Sequence, residues 1–412
     1  MIRKYLAIVS LFIVSIINAQ IIYNYDVSDG LISNYVSCID VDIYDNVWLG
    51  TSEGVQMFDG YDWILYNTTL NPGMVSDNIK TITCFSDGSV WAGTDYGVSV
   101  FSSQTNDWVT FNSANGLLSN QVRSVNEGPD VNGVVGSWVG TNQGVSFYNG
   151  LSWVSYSSPD LHWSGVNETS FDSNGDIWFS SPLGGVTHFD GINNFITYDT
   201  SDGLILQNVT SLLIDDQDQK WIGTEAGMSV LDPFNMVFTH HTKMYLLPPP
   251  DTLNPVVDIE IDGLDRVWAA IYVGYLTEGG VACWDGSSWI DFDVTDGLIG
   301  SNIKDISIDS ENNVWVATTN GVSKISMNLN AIDNVHSKHL LCYPNPTRSY
   351  VDIHLPHNNG YIYVYDLQGR LLNKYIVSDF NLVIDLDNYQ KGSYYVVFDS
   401  FNNRYFSSFL VY

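Results

Sequence analysis

Asp45-Asn46-Val47-Trp48-Leu49-Gly50-Thr51-Ser52-Glu53-Gly54-Val55-Gln56-Met57-Phe58-Asp59-Gly60 is the stretch that decides the fold. The pair Asp45-Asn46 is turn chemistry, and an apolar run centred on Trp48 follows it. Gly54 marks a second turn, and Val55–Phe58 reads as another short strand. Turn residues flanking short apolar runs predict a β-hairpin. Such a hairpin cannot bury its own apolar face, so it needs neighbours. The sequence supplies them by repetition. Equivalent tryptophans stand at Trp91, Trp138, Trp178, Trp221, Trp268 and Trp315, at spacings of 43, 47, 40, 43, 47 and 47 residues. Periods of this length point to a propeller or solenoid.

Two positions after each Trp comes a small residue: Gly50, Gly93, Gly140, Ser180, Gly223, Ala270, Ala317. A hydroxyl usually follows (Thr51, Thr94, Thr141, Ser181, Thr224, Thr318), with Ile271 the exception. Val36, Ile79, Val166, Val209, Val256 and Ile303 each lie twelve residues before their Trp. In the third unit the gap from Val122 is sixteen, so Gly128–Gly136 carries a four-residue insertion. Each unit reads as four strands: one starting near the Val or Ile, one carrying the Trp, one after the Gly turn, and an aromatic one such as Asp62–Tyr66. Four antiparallel strands per period make one propeller blade. The seventh unit stops after its third strand. Ile21–Asp26 followed by Asp29-Gly30-Leu31-Ile32 looks like Trp289–Asp293 followed by Asp296-Gly297-Leu298-Ile299. The N-terminal strand is therefore expected to complete blade seven and close the ring.

Asp87-Gly88-Ser89-Val90-Trp91-Ala92-Gly93-Thr94-Asp95-Tyr96-Gly97-Val98 resembles the two-component-regulator propeller repeat, and the resemblance runs over roughly Ile21–Asn328. In such sensors the propeller sits outside the cell and signals through cytoplasmic parts. No kinase or DNA-binding segment stands in this sequence, so it is not expected to be a complete sensor. Blades four and six depart from the pattern, at Ser181-Pro182-Leu183-Gly184-Gly185 and at Ile271–Gly280.

The expected domains are a signal peptide over 1–19, a propeller over 20–328, a polar linker over 329–339 and a small Ig-like β-sandwich over 340–412. Arg3 and Lys4 precede the apolar run Tyr5–Ile17 and then Asn18-Ala19, the pattern of a cleaved secretory signal. No other stretch of about 20 apolar residues exists, so no transmembrane segment is expected in the mature chain. After Leu340 the period stops, and six or so short strands follow. Tyr343-Pro344-Asn345-Pro346-Thr347, Val364–Arg370 and Lys391–Val396 resemble the C-terminal sorting domain of type IX (Por) secretion. That resemblance implies export by the type IX machinery through residues 340–412, to an extracellular or outer-membrane surface location. Ser407–Tyr412 lacks the basic residues often found there.

From Gln20 to Asn330, 39 acids stand against 7 bases, a net of −32. Such a surface argues against nucleic acid or bare anionic lipid as partner. Cys38, Cys84, Cys283 and Cys342 show no metal-site spacing, and buried free thiols are the default reading.

Strand connectivity puts the loops between blades and the turns between second and third strands on one face. Its irregular loops carry His162 and Trp163, Tyr245, and Tyr272 with Tyr275. Trp and Tyr offer flat apolar surfaces with polar tips that suit sugar rings. Glu53, Tyr96, Gln143, Glu225 and Glu278, at neighbouring turns, could add hydrogen bonds. The expectation is a non-catalytic propeller binding an extracellular ligand, a glycan by this chemistry. The alternatives are a lyase acting on polysaccharide, with His162 and Glu168 or His188, and a protein-binding adhesin or scaffold. The sequence holds no Gly-x-Ser-x-Gly elbow and no His-Glu-x-x-His helix. Asp172–Asp176 and Asp215–Asp218 are oxygen clusters in turn positions. As calcium loops they lack the distal Glu, so turns are the preferred reading, with no cofactor expected and calcium the alternative. His240-His241 lies in a strand, where neighbours point to opposite faces and cannot easily share one metal.

Overall fold

The computed structural model describes residues 21–411 except 162, 164, 193, 245–253, 273–278, 328–337, 344–346, 356–359, 367–369, 387–388 and 401–402. The chain divides into two compact units, Met1–Met327 and Asn328–Tyr412.

The first unit consists of seven four-stranded antiparallel sheets, the blades expected from the repeat. Their first strands are Val36–Val41, Thr81–Cys84, Val122–Pro129, Glu168–Phe171, Val209–Ile214, Val256–Ile261 and Ile303–Ile308, and together they line a central channel. Blade seven is completed by Ile21–Tyr25, which pairs antiparallel with Gly321–Ser326 and puts Ile22 opposite Ile325. The ring is thus closed by the first strand described. In blade three the inserted residues lengthen the hairpin, so that Val122–Pro129 and Val135–Thr141 pair down to Pro129 opposite Val135.

The repeat signature has a physical reason at each position. The indole Nε1–H donates to a turn carboxylate six residues back in five blades: Trp48 to Asp42, Trp178 to Asp172, Trp221 to Asp215, Trp268 to Asp262 and Trp315 to Asp309, at 2.8–3.1 Å. The same carboxylate accepts N–H groups of its own turn, as Asp172 does from Asn174 and Asp176. Both acidic clusters weighed as calcium loops are such turns, with Asp172 and Asp215 occupied in this way. In blade two Trp91 uses Ser89 instead, and in blade three Trp138 uses the Pro129 carbonyl. A Cβ on Gly50 would lie 2.2 Å from Cys38 Sγ and 2.7 Å from Ile79 of the next blade, so only a small residue fits there. The hydroxyl after it donates to the carbonyl of the turn glycine, as Thr51 does to Gly54 at 2.9 Å. Five blades carry this clasp. Blades four and six, with Ser181 and Ile271 at that position, are the two set apart by their sequence.

Seven hydrophobic clusters fill the seven interfaces between blades, and each holds its blade's Trp. Every Trp also stacks on a ring from its own outermost strand at 5.6–6.0 Å. These rings are Tyr66, Phe111, Tyr156, Tyr198, His241, Phe292 and, for Trp315, Tyr25 of the closing strand.

The second unit contains a five-stranded and a three-stranded sheet. Val351, Ile353, Ile362, Val364, Val396, Phe398 and Phe409 are the centre of its own core. All four cysteines are free.

Trp268 is fully buried, so Trp268→Ala is expected to destabilise the propeller by about 3–5 kcal/mol in urea unfolding. Trp163→Ala, at an exposed position, should fall within about 0.5 kcal/mol of wild type.

Candidate functional site

The first strand of each blade has one neighbour in its own sheet, so its other edge looks into the channel. In blades one, three, five, six and seven that strand slips register by one residue, at Ser37, Arg123, Thr210, Val257 and Lys304. A β-bulge re-aims a side chain. Lys80 and Asn167 hold the matching places in blades two and four. These positions form the rim of the channel on the loop face. Polar side chains here reach from blade to blade. Ser37 Oγ donates to Ile79 O at 2.8 Å, Arg123 Nη1 to Asn167 Oδ1 at 3.0 Å, Asn167 Nδ2 to Val209 O at 2.7 Å and Thr210 Oγ1 to Val256 O at 2.5 Å. Lys80, Arg123, Gln121, Asn142, Asn167 and Asp95 line a cavity of about 480 Å3 at this rim.

Basic residues are sorted between the two faces. Lys220, Arg266 and Lys324 pair with the turn carboxylates Asp172, Asp262 and Asp309, and each also lies over a repeat Trp. These three support the turn-and-tryptophan clasps. The other four of the propeller's seven bases, Lys80, Arg123, Lys243 and Lys304, stand on the loop side. Among the described residues, the ion pair of Lys80 is a loose, exposed one with Asp95 at 3.9 Å. Lys304 Nζ lies 4.7 Å from the Tyr272 ring centre and 5.8 Å from that of Tyr35, and partial burial lowers its pKa.

Below the rim the channel holds Asp40, Glu168, Asp258, Glu260 and Asp305. Three of these carboxylates accept the inward-facing N–H of another blade's first strand: Asp40 from Cys84 at 2.7 Å, Asp258 from Ile306 at 3.1 Å and Asp305 from Ile39 at 2.8 Å. Glu168 accepts from Asn126 of blade three at 2.6 Å. Burial is the main cause that raises the pKa of all five. It brings Asp40 to about 6 and Glu168 to about 8.

Of the residues expected to bind ligand, Trp163 and Tyr96 are exposed, and Glu53, Gln143 and Glu225 are exposed at second-to-third turns. Tyr272 is brought against Lys304 at the rim. Glu225 accepts from Asn208 at 2.7 Å. His162, Tyr245, Tyr275 and Glu278 lie outside the described residues. His188, named for a lyase, sits in the third strand of blade four, stacked on Trp178 and bonded to Asp176 at 2.8 Å, so it does not join Glu168 in the channel. Sequence reading missed the rim bases and four of the five channel carboxylates. A signal for them exists: Asp258 and Asp305 stand two residues after the Val or Ile landmark, and Asp40 and Glu260 four after it.

Seven blades around a polar channel define the class, a seven-bladed β-propeller. More particularly, residues 297–320 match the two component regulator propeller family, and residues 341–412 match the secretion system C-terminal sorting domain. The chain therefore carries a two-component-regulator propeller repeat and a type IX sorting domain, and that domain marks it as a secreted or cell-surface protein. No curated protein sequence matches the chain. Among solved structures, the extracellular domain of BT3049 from B. thetaiotaomicron is similar at 17% identity and a TM-score of 0.62, over 95% of this chain and 57% of that one. PorZ, a surface component of the type-IX secretion system of Porphyromonas gingivalis, is similar at 17% identity and a TM-score of 0.57, over 94% of this chain and 60% of that one. Virginiamycin B lyase from Staphylococcus aureus, solved as an inactive variant with quinupristin, is similar at 12% identity and a TM-score of 0.59, over 75% of this chain and 99% of that one. At these identities the likeness is one of fold, and the chain spans less than two thirds of the first two structures. Among the described residues no helix is long and apolar enough to cross a membrane.

The channel acids set a pH dependence. A carboxylic acid whose folded pKa lies above its unfolded value holds a proton that unfolding releases, so stability falls as pH rises between the two values. Asp40 acts up to about 6 and Glu168 up to about 8. His241, with its pKa lowered mainly by burial, opposes this trend only below about 6.5. The melting temperature is expected to fall from pH 6.5 to pH 8, and Glu168→Gln should flatten that fall. A melting temperature that rises over this window would contradict the assignment.

Proposed function

We propose that the loop face is a binding surface for an acidic glycan, displayed outside the cell by the type IX sorting domain. The observation that carries this reading is the sorting of positive charge. In a propeller of 39 acids and 7 bases, the four bases outside the clasps share the loop side, and three of them ring the channel mouth. A patch of one sign on a surface of the other recruits a ligand of complementary charge. Tyr272, Tyr35 and Tyr96 add rings that stack on sugar faces, and Asn142, Gln121 and Asn167 add donors and acceptors for hydroxyls. Irregular loops on one face of a propeller are where ligands are usually met.

Affinity electrophoresis against polygalacturonate tests the reading. Wild type should be retarded in a salt-dependent way. The double variant Lys80→Ala with Arg123→Ala should bind at least about tenfold more weakly, the loss of about 1.4 kcal/mol. Tyr272→Ala should weaken binding with no change in melting temperature. Tyr44→Ala, an exposed ring on the opposite face, should bind as wild type. Equal retardation of the double variant and wild type would reject the site.

A further inference from the structure

The channel holds more buried polarity than ring closure uses. Its cavity, about 250 Å3, is walled by the first strands alone. Among the described residues no Lys, Arg or His lines it. Asp258 and Asp305 each spend Oδ2 on a strand N–H and share a hydrogen bond with each other. Glu260 stands opposite Trp268, on the side of blade six that faces blade seven and the channel. Among the described residues its carboxylate accepts only the N–H of adjoining Ile261. Glu168 is held by Asn126 across the same space.

A second observation points to a missing occupant. Four other polar atoms of this wall have no hydrogen-bond partner: Ser124 Oγ, Asn126 Oδ1, Thr169 Oγ1 and Ser211 Oγ. Ser124, Thr169 and Ser211 are each 3% exposed. A buried polar atom left unpaired costs about 1–3 kcal/mol and calls for a partner. Thr169 also breaks the repeat. Its equivalents in the other six blades are Ile39, Ile82, Val125, Leu212, Ile259 and Ile306, all aliphatic. Blade four thus places a hydroxyl beside Glu168 where the fold asks for none.

The spacing of the acids decides the kind of occupant. A bare metal ion needs several ligand atoms drawn within 4.8 Å of one another. Among the described residues Asp172, Asp176 and His188 meet that condition, and the channel acids do not. Their carboxylates are spread around the wall, with aliphatic side chains such as Ile39, Leu212 and Ile259 between them. Separated charges with apolar wall between them match a ligand whose charges stand at the ends of a methylene chain. The cavity is also smaller than the about 300–1,000 Å3 of sites for drug-sized ligands, so the chain must be slender.

We infer that the channel binds an aliphatic diamine or polyamine, with one ammonium at Glu168, Asn126 and Thr169 and another among Glu260, Asp258 and Asp305. Ammonium groups give charge-assisted hydrogen bonds to carboxylates, and Asn126 Oδ1 and Thr169 Oγ1 accept further N–H groups. The turn face supplies the approach. Every blade carries an Asp in its first-to-second turn, and the bases there, Lys220, Arg266 and Lys324, are already paired. A mouth of one sign steers a ligand of the other. This site is independent of the loop-face reading.

Calorimetry of the purified protein with putrescine at pH 8, in about 150 mM salt to screen the general negative charge, tests this. Putrescine should bind saturably, and butylamine, with a single ammonium, at least about tenfold more weakly. Equimolar magnesium should not displace it, as it would displace a diffuse counterion. Glu260→Gln keeps the shape of the side chain. It should bind at least about tenfold more weakly while its own melting temperature holds or rises, which separates lost binding from lost folding. Thr169→Val restores the aliphatic residue of the other blades and should weaken binding several-fold with the fold intact. Burial is the main cause that holds protons on Asp40, Glu168, Asp258, Glu260 and Asp305, and it keeps Cys38 and Cys84 beside them as thiols. Lys80, Arg123 and Lys304 stand above them at the rim. An arriving diamine displaces protons from the acids, so binding should release protons and tighten from pH 6 to pH 8. Exposed carboxylates, ionised throughout that range, would show neither effect. No saturable binding of putrescine, its displacement by magnesium, or unchanged binding by Glu260→Gln would overturn the inference.

Discussion

A blade set radially around an axis has an inner edge strand, and the N–H groups on that edge have no partner in their own sheet. Leaving them unpaired would cost about 1–3 kcal/mol each. The chain answers with side chains from other blades. Asp40, Asp258 and Asp305 accept the N–H groups of Cys84, Ile306 and Ile39, and Thr83 donates to the Val125 carbonyl at 2.6 Å. Two of these bonds link blades six, seven and one, beside the junction where the propeller's first strand pairs with its last. Their consequence is a channel crowded with carboxylates whose pKa values rise. The acids hold the ring together, and they also make it sensitive to pH.

The repeat was legible because its signals are local. Trp48, the turn opened by Asp42, Gly50 and Thr51 all do their work within one hairpin or against the next, so spacing alone revealed them. Closure was legible for a related reason, since Ile21–Asp26 copies a fourth strand that the seventh unit lacks. The insertion of blade three was visible as a count, and only pairing showed that it lengthens a hairpin. The channel and its rim were not legible. Asp40 meets Cys84 and Ser307, and those neighbours are brought in by the ring, not by sequence proximity. A bulge that slips Arg123 and Lys304 out of register leaves no mark in a sequence. His241 was noticed as half of a His pair, but its meaning lies in the comparison with Tyr66, Phe111 and Tyr156, which requires knowing that all of them face a Trp.

The two faces of the propeller divide the chemistry. On the turn face, carboxylates are tied to backbone N–H groups, to indoles and to Lys220, Arg266 and Lys324. On the loop face, Lys80, Arg123 and Lys304 stand around the channel mouth, and Tyr272 and Tyr35 lie beside Lys304. Blades four and six, with Ser181 and Ile271 after the small residue, lack the hydroxyl clasp found in the other five blades. The sorting domain is a separate unit with its own core.

Everything rests on Ile21–Tyr25 forming the fourth strand of blade seven. Ser323 Oγ donates to Asn24 Oδ1 at 2.7 Å across that junction. Changing Asn24→Cys together with Ser323→Cys and mapping disulfides by peptide mass spectrometry under mild oxidation reads the junction directly. The closed ring predicts one intramolecular cross-link between residues 24 and 323, formed in the native protein and absent after denaturation before oxidation. Two free thiols under native conditions, or cross-links only between separate chains, would contradict it.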